Sequence, residues 1–267
     1  IRLNFSVLLE KNYGEHLGIS DKEYIGQGAN IKDTTKQVLE KTEILLSVNC
    51  PSLEKINFIK NDTIIITQLD SLTNKIEINK LREKKIKIFS LNLLPRIARA
   101  QTMDVLSSQA NLAGYKAVID SIEEFEKAIP MMITAAGTIT PARVLVVGAG
   151  VAGLQAIATA KRMGAIVFAT DVRTVAKEQV ESLGGKFLLV DGAENLETES
   201  GYAKEAGEDF KKKQEKLLKE AIKKSDIVIC TALIPGQKAP RIISEDMVKS
   251  MKPGSIIYDL AVSHGGN

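Results

Sequence analysis

The sequence predicts an α/β protein of two Rossmann-like domains, each a doubly wound parallel sheet, joined by a long helix with an interdomain cleft. Three observations predict it. β-Branched runs recur with room for a helix between them, one run opens directly into a G-x-G-x-x-G turn, and a proline-free stretch at helical spacing divides the chain.

In the first part the runs are Glu43 to Val48, Thr63 to Thr67 and Ile86 to Ser90. Their spacing is that of parallel βαβ units. Asp104 to Lys127 then carries Val105, Leu106, Leu112, Val118, Ile119 and Ile122 at helical spacing and stops before Pro130, so it reads as the connecting helix. Composition shifts here, from Lys, Ile and Asn before residue 90 to Ala and Gly over 100–170, where close backbone packing is needed. The expected domains are residues 1–112 and 113–267. In the second half of the chain the runs are Val144 to Val147, Ile166 to Thr170, Phe187 to Val190, Ile227 to Thr231 and Ile256 to Leu260, separated by helical stretches rich in Ala, Lys and Glu.

Composition narrows the function classes. The 267 residues are 44% hydrophobic and 26% charged, a globular profile. The net charge of +3 comes from 36 basic and 33 acidic residues spread along the chain, so no patch points to nucleic acid. The most apolar stretch, Val144 to Ala160, is broken by Gly148, Gly150, Gly153, Gln155 and Thr159, so no membrane insertion is expected. Cys50 and Cys230 are far apart, which argues against a disulfide framework or a zinc site and fits a reducing compartment; no metal is expected.

Arg143-Val-Leu-Val-Val-Gly-Ala-Gly-Val-Ala-Gly153 is a buried strand running into the glycine turn and then into a helix, Leu154 to Met163. In such a turn Gly148 permits the tight reversal, Gly150 lets the backbone approach a pyrophosphate, and Gly153 lets the helix pack on the strand. Val151 and Ala152 complete it. The exposed N–H groups and the helix dipole, about half a positive charge, then hold an anionic diphosphate. The next strand ends at Asp171, about 20 residues on, where a carboxylate binds the ribose hydroxyls of NAD and repels the 2′-phosphate of NADP. Arg173, beyond Val172, pulls the other way, since arginine can accept that phosphate, but NAD(H) is the favoured cofactor. The plainer reading of Asp171 is the N-cap of a helix over Val175 to Leu183, and one residue can serve both roles. A third strand end places Thr231, Ala232 and Leu233 beside adenine or ribose, or simply in strand packing. Asn195 to Lys204, with Gly201 beside Tyr202, reads as an exposed loop of the kind that closes over ligands.

Leu94-Pro-Arg-Ile-Ala-Arg-Ala-Gln-Thr-Met-Asp-Val-Leu-Ser-Ser-Gln-Ala-Asn-Leu-Ala-Gly-Tyr115 resembles the signature of the NAD(H)-binding component of proton-translocating transhydrogenases. The resemblance continues through Met131 to Gly137, the glycine turn, Thr170 to Arg173, Lys177 to Gly184, Gly201 to Lys204, Thr231 to Gly236 and Met251 to Gly254. It is strong over residues 90–267 and weak before them. It implies that Arg96, Gln101 and Asp104 position the nicotinamide and its ribose across the cleft, with Ser107 nearby, while the glycine turn, Asp171 to Arg173 and Tyr202 bind the rest of NAD. A surface ion pair of Arg96 and Asp104 is the plainer alternative. Ala206 stands where the family has Met, and Ser263-His264 where an acid and Ala are usual. The family's N-terminal strand and its C-terminal returning segment are not in this sequence.

The implied partners are an NADP-binding component, a membrane component and a second copy of the chain, on the cytoplasmic face of the bacterial inner membrane. Hydride transfer between nicotinamide rings needs alignment and water exclusion rather than a general base, which suits a chain whose histidines are His16 and His264. One alternative is a free-standing alanine dehydrogenase, which requires a proton-transferring His where Ile64 to Asn74 offers Gln68 and Asp70. Another is a regulatory module that binds NAD without turnover.

Overall fold

The computed structural model describes residues 4–71, 73–95, 97–190, 207–233 and 238–267. It divides into two compact units, Ile1–Met103 and Asp104–Asn267.

The first unit alternates strands and helices: β1 (Leu8–Glu10), α1 (Asp21–Gly26), β2 (Asn30–Lys32), α2 (Thr35–Leu39), β3 (Ile44–Asn49), α3 (Leu53–Phe58), β4 (Ile64–Gln68), α4 (Lys75–Glu83) and β5 (Lys87–Ser90). The helices start where the sequence offers caps: the side chains of Thr34 and Ser52 accept from the backbone N–H of Gln37 and Lys55. β1 and β2 form a parallel pair, and β3-β4-β5 a separate parallel sheet in sequential order. Right-handed crossovers that always step in one direction put their helices on one face. Accordingly Leu39, Ile56 and Leu81 of α2, α3 and α4 pack with Ile65 of β4 into one core, while Leu46, Val48 and Phe89 on the opposite face are exposed.

The second unit opens with α5 (Val105–Glu124) and an antiparallel hairpin, β6 (Met132–Thr134) and β7 (Gly137–Ile139). Then come β8 (Arg143–Val147), α6 (Val151–Arg162), β9 (Ile166–Thr170), α7 (Ala176–Ser182), β10 (Lys186–Phe187), α8 (Glu208–Ile222), β11 (Ile227–Cys230), α9 (Glu245–Lys249) and β12 (Ile256–Asp259). The all-parallel order β10-β9-β8-β11-β12 reverses direction after β10, so helices fall on both faces. Val144 and Val146 of β8 face the α5, α6 and α7 layer, and Leu145 and Val147 face α8 and α9. Burial on both faces is why β8 reads as an unbroken apolar run. Asp120 of α5 accepts from the Tyr258 hydroxyl at 2.9 Å, tying the long helix to β12.

β1, β2 and the hairpin have no counterpart among the runs read from the sequence. All six hairpin strand residues are exposed, so they lack the alternation that marks a half-buried strand.

Candidate functional site

β8 and β11 are neighbours at the point where the strand order reverses, and the crevice at their carboxyl ends is where such a sheet binds ligands. Gly148 leaves β8 with φ of +98°, a left-handed conformation that favours glycine. Its N–H donates to the Thr170 carbonyl at 2.9 Å, and its own carbonyl accepts from the Thr231 hydroxyl at 2.8 Å. A Cβ at Gly153 would lie 1.9 Å from that same carbonyl oxygen, so the turn closes backbone against backbone. In front of Gly150 a Cβ would meet nothing within 4 Å, and no side chain caps α6, whose N-cap is Gly150. The first-turn N–H groups of a twelve-residue helix thus face an open space with their dipole.

Asp171, at the end of β9, faces this turn. Its Oδ2 accepts from the Ala149 N–H at 2.7 Å and from Arg173 Nη2 at 2.9 Å; its Oδ1 accepts from Arg173 N at 2.8 Å and Arg173 Nε at 2.9 Å. With side chains only 7% and 17% exposed, this is a bidentate, nearly buried ion pair. Asp171 is therefore not the cap of the next helix. α7 starts after Val175, already helical in backbone, and both Asp171 oxygens are turned back to the glycine turn and Arg173. Val172 is half-buried between them.

The structure brings Gly148, Gly150, Val151, Ala152, Gly153, Asp171, Arg173 and Thr231 together. Thr231 acts as a clasp from β11 to the turn, with Ala232 N also close to Gly148 and Leu233 partly exposed beyond them. Asp104 is the N-cap of α5: its Oδ1 accepts from the Ser107 N–H at 2.9 Å and its Oδ2 from the Ser107 hydroxyl at 2.7 Å. Gln101 is exposed in the helical turn Ala98–Met103. Arg96, Gly201, Tyr202, Ala206 and the loop 195–204 lie outside the described residues. His264 is half-buried in a short turn, where its carbonyl accepts from the Ala239 N–H at 2.9 Å.

Neither cysteine supplies a nucleophile. Burial, reinforced by Asp259, pushes the Cys230 thiol up to about 12, and burial with Glu77 pushes Cys50 up to about 11. Among the described residues no group of three His, Cys, Asp or Glu side chains could hold a metal ion.

A parallel sheet reversing at β8 and β11, with a glycine turn feeding a helix and an acid ending the next strand, defines the class: a Rossmann-like nucleotide-binding architecture carried in a two-unit protein. The chain belongs to the alanine dehydrogenase/PNT family. Its residues 1–113 match the model "Alanine dehydrogenase/PNT, N-terminal domain" and residues 117–267 the model "Alanine dehydrogenase/PNT, C-terminal domain". The chain is 52% identical over 275 aligned residues to an NAD(P) transhydrogenase subunit alpha polypeptide of Rhodospirillum rubrum, covering 100% of this chain and 71% of that one. The solved transhydrogenase structure from Sinorhizobium meliloti is 45% identical with a TM-score of 0.85, covering 100% of this chain and 72% of that one. A solved L-alanine dehydrogenase, 19% identical, shares the fold with a TM-score of 0.78 over 99% of this chain and 68% of its own.

Proposed function

We propose that this chain is the NAD(H)-binding component of a proton-translocating transhydrogenase, which presents NADH for direct hydride transfer to NADP held on a separate component. The observation that carries the reading is the open, uncapped start of α6 at Gly150 beside the fixed Asp171 carboxylate. The residues fit a dinucleotide: Val151, Ala152 and Gly153 offer N–H groups to a diphosphate, and Asp171, on exchanging a hydrogen bond from the Arg173 side chain, accepts from ribose hydroxyls. The name of the Rhodospirillum rubrum relative supports the transhydrogenase assignment over the other dinucleotide chemistries this architecture serves.

When bound, the reduced nicotinamide supplies the hydride. The chain contributes position: α6 and Asp171 anchor the diphosphate and ribose, Arg96, Gln101, Asp104 and Ser107 hold the nicotinamide end, and Gly201 and Tyr202 ride on the loop that covers it. No proton-transferring side chain is needed here; the proton movement belongs to a membrane component. The chain works beside that component, on the cytoplasmic face of the bacterial inner membrane. Among the described residues no helix is long and apolar enough to cross a membrane. Mixing the chain with a purified NADP-binding component should give stereospecific transfer from NADH to an NADP analogue, absent when either protein is omitted. Tight NADH binding without transfer would favour a sensing module, and reduction of pyruvate plus ammonia the dehydrogenase alternative.

The reading includes a homodimer. A two-stranded hairpin is marginal alone in water, and this one exposes Met132, Ile133 and Ile139, with Ile133 82% exposed. Covering it with the same hairpin of a second copy would bury that surface symmetrically. Ile133→Glu should therefore convert a dimer into a monomer by sedimentation while leaving the circular dichroism spectrum unchanged. A dimer that persists in the variant would place the contact elsewhere.

A further inference from the structure

At one point α5 and α6 meet through backbone. A Cβ at Gly114 would sit 2.0 Å from the carbonyl oxygen of Ala152, 2.8 Å from its carbonyl carbon and 3.0 Å from its Cα. Farther along, the helices approach through small buried residues, Ala117 and Ser121 on α5 and Ala156 and Ala160 on α6. The two run the same way, because Gly114 lies at Ala152 while Val118, Ser121 and Ile122 line a small void together with Ala160. Ser107 precedes Gly114 by two helical turns, so it lies on the same face of α5 about 10 Å nearer its start. α6 begins at Val151, only one residue before the contact, so α5 extends past the start of α6. Ser107, clamped by Asp104, stands on that overhang.

We propose that Gly114 is a positioning residue of the dinucleotide site. Lacking a side chain, it sets how close α5 comes to the first turn of α6, and so fixes the diphosphate-binding N–H groups of Val151, Ala152 and Gly153 relative to Ser107. The proposal rests on the dinucleotide reading above. Its ligand chemistry is narrower: the anionic diphosphate, which the start of α6 recognises, and not the adenine or ribose.

A methyl at Gly114 must retreat by about 1 Å from a carbonyl that belongs to the binding turn, and displacements of that size weaken aligned interactions strongly. The chain and its Gly114→Ala variant are titrated with ADP and with adenosine, which lacks the diphosphate. The variant should bind ADP about tenfold more weakly and adenosine within about twofold of the parent. Ala160→Val, later in the same helix pair, should lower the melting temperature without changing the ADP-to-adenosine ratio. An unchanged ratio in Gly114→Ala overturns the proposal and leaves the dinucleotide reading standing. Failure of the parent chain to bind either ADP or NADH overturns both. Should Gly114→Ala not fold, amide spectra of the parent decide: ADP should shift Gly114 and adenosine should not, and a Gly114 amide indifferent to ADP refutes the role.

Discussion

Gly153→Ala should weaken NADH binding by about a hundredfold and destabilise the second unit by about 3 kcal/mol, although alanine is the better helix former by about 1 kcal/mol. The cause is a single contact. The new methyl would lie 1.9 Å from the Gly148 carbonyl oxygen. That oxygen already accepts from the Thr231 hydroxyl, so it cannot turn away without releasing β11 from the turn. The remaining way to make room is to lift α6 off β8 by about 1 Å, which carries the first-turn N–H groups away from the diphosphate; a shift of that size costs about a hundredfold in affinity. Thermal unfolding and NADH titration of the same preparation check the two effects together. A variant that binds NADH like the parent would mean that the turn tolerates a different carbonyl orientation, and that the close approach does not set the site.

Asp171→Ala should alter cofactor choice as well as affinity. The carboxylate is the proposed acceptor for the ribose hydroxyls and the charge that repels a 2′-phosphate, and it also holds the Arg173 guanidinium through two hydrogen bonds. Its removal takes away the charge that repels a 2′-phosphate and two of the hydrogen bonds on the Arg173 guanidinium, so NADH affinity should fall while NADPH affinity rises, a combined change in preference of about a hundredfold. Stability should fall by about 3 kcal/mol, because a nearly buried cation loses the Asp171 carboxylate and the Ala149 N–H loses this acceptor. Asp171→Asn separates the contributions: it keeps an oxygen for the Ala149 N–H and loses the charge, so preference should shift with a smaller stability loss. Fluorescence titration with both reduced cofactors reads the outcome. An unchanged preference in both variants would remove Asp171 and Arg173 from specificity altogether.

How much of this was legible beforehand follows from how local each feature is. The strand, turn and helix from Arg143 to Arg162 could be read directly, because burial on both faces writes an apolar run and the turn demands glycines at fixed spacing. The place of Asp171 was legible for the same reason, but its partners were not. A cap for the following helix and a clamp on Arg173 and the Ala149 N–H look alike in sequence, and only the direction taken by the backbone after Asp171 distinguishes them. The clasp from Thr231 to Gly148 joins residues 83 apart, so it depends on β8 and β11 being neighbours, which strand spacing alone does not reveal. Gly114 was not distinguishable within its helix, because the Ala152 carbonyl it makes room for belongs to α6, and the packing of two helices is not written in either one. In the first unit the runs at β3, β4 and β5 were legible as strands, but coverage of only one face of that sheet depends on strand order, which periodicity does not encode.

The two thiols have a consequence for a protein assigned to redox work. With Cys50 raised to about 11 and Cys230 to about 12, fewer than about one molecule in a thousand carries a thiolate at neutral pH. At cysteine, peroxides, glutathione disulfide and alkylating agents all react with that thiolate, so neither Cys50 nor Cys230 is a ready target for them. In a component proposed to carry reducing equivalents, the thiols are thereby kept apart from that traffic, and the exposed thioethers of Met103, Met131 and Met132 are the sulfur atoms an oxidant meets first.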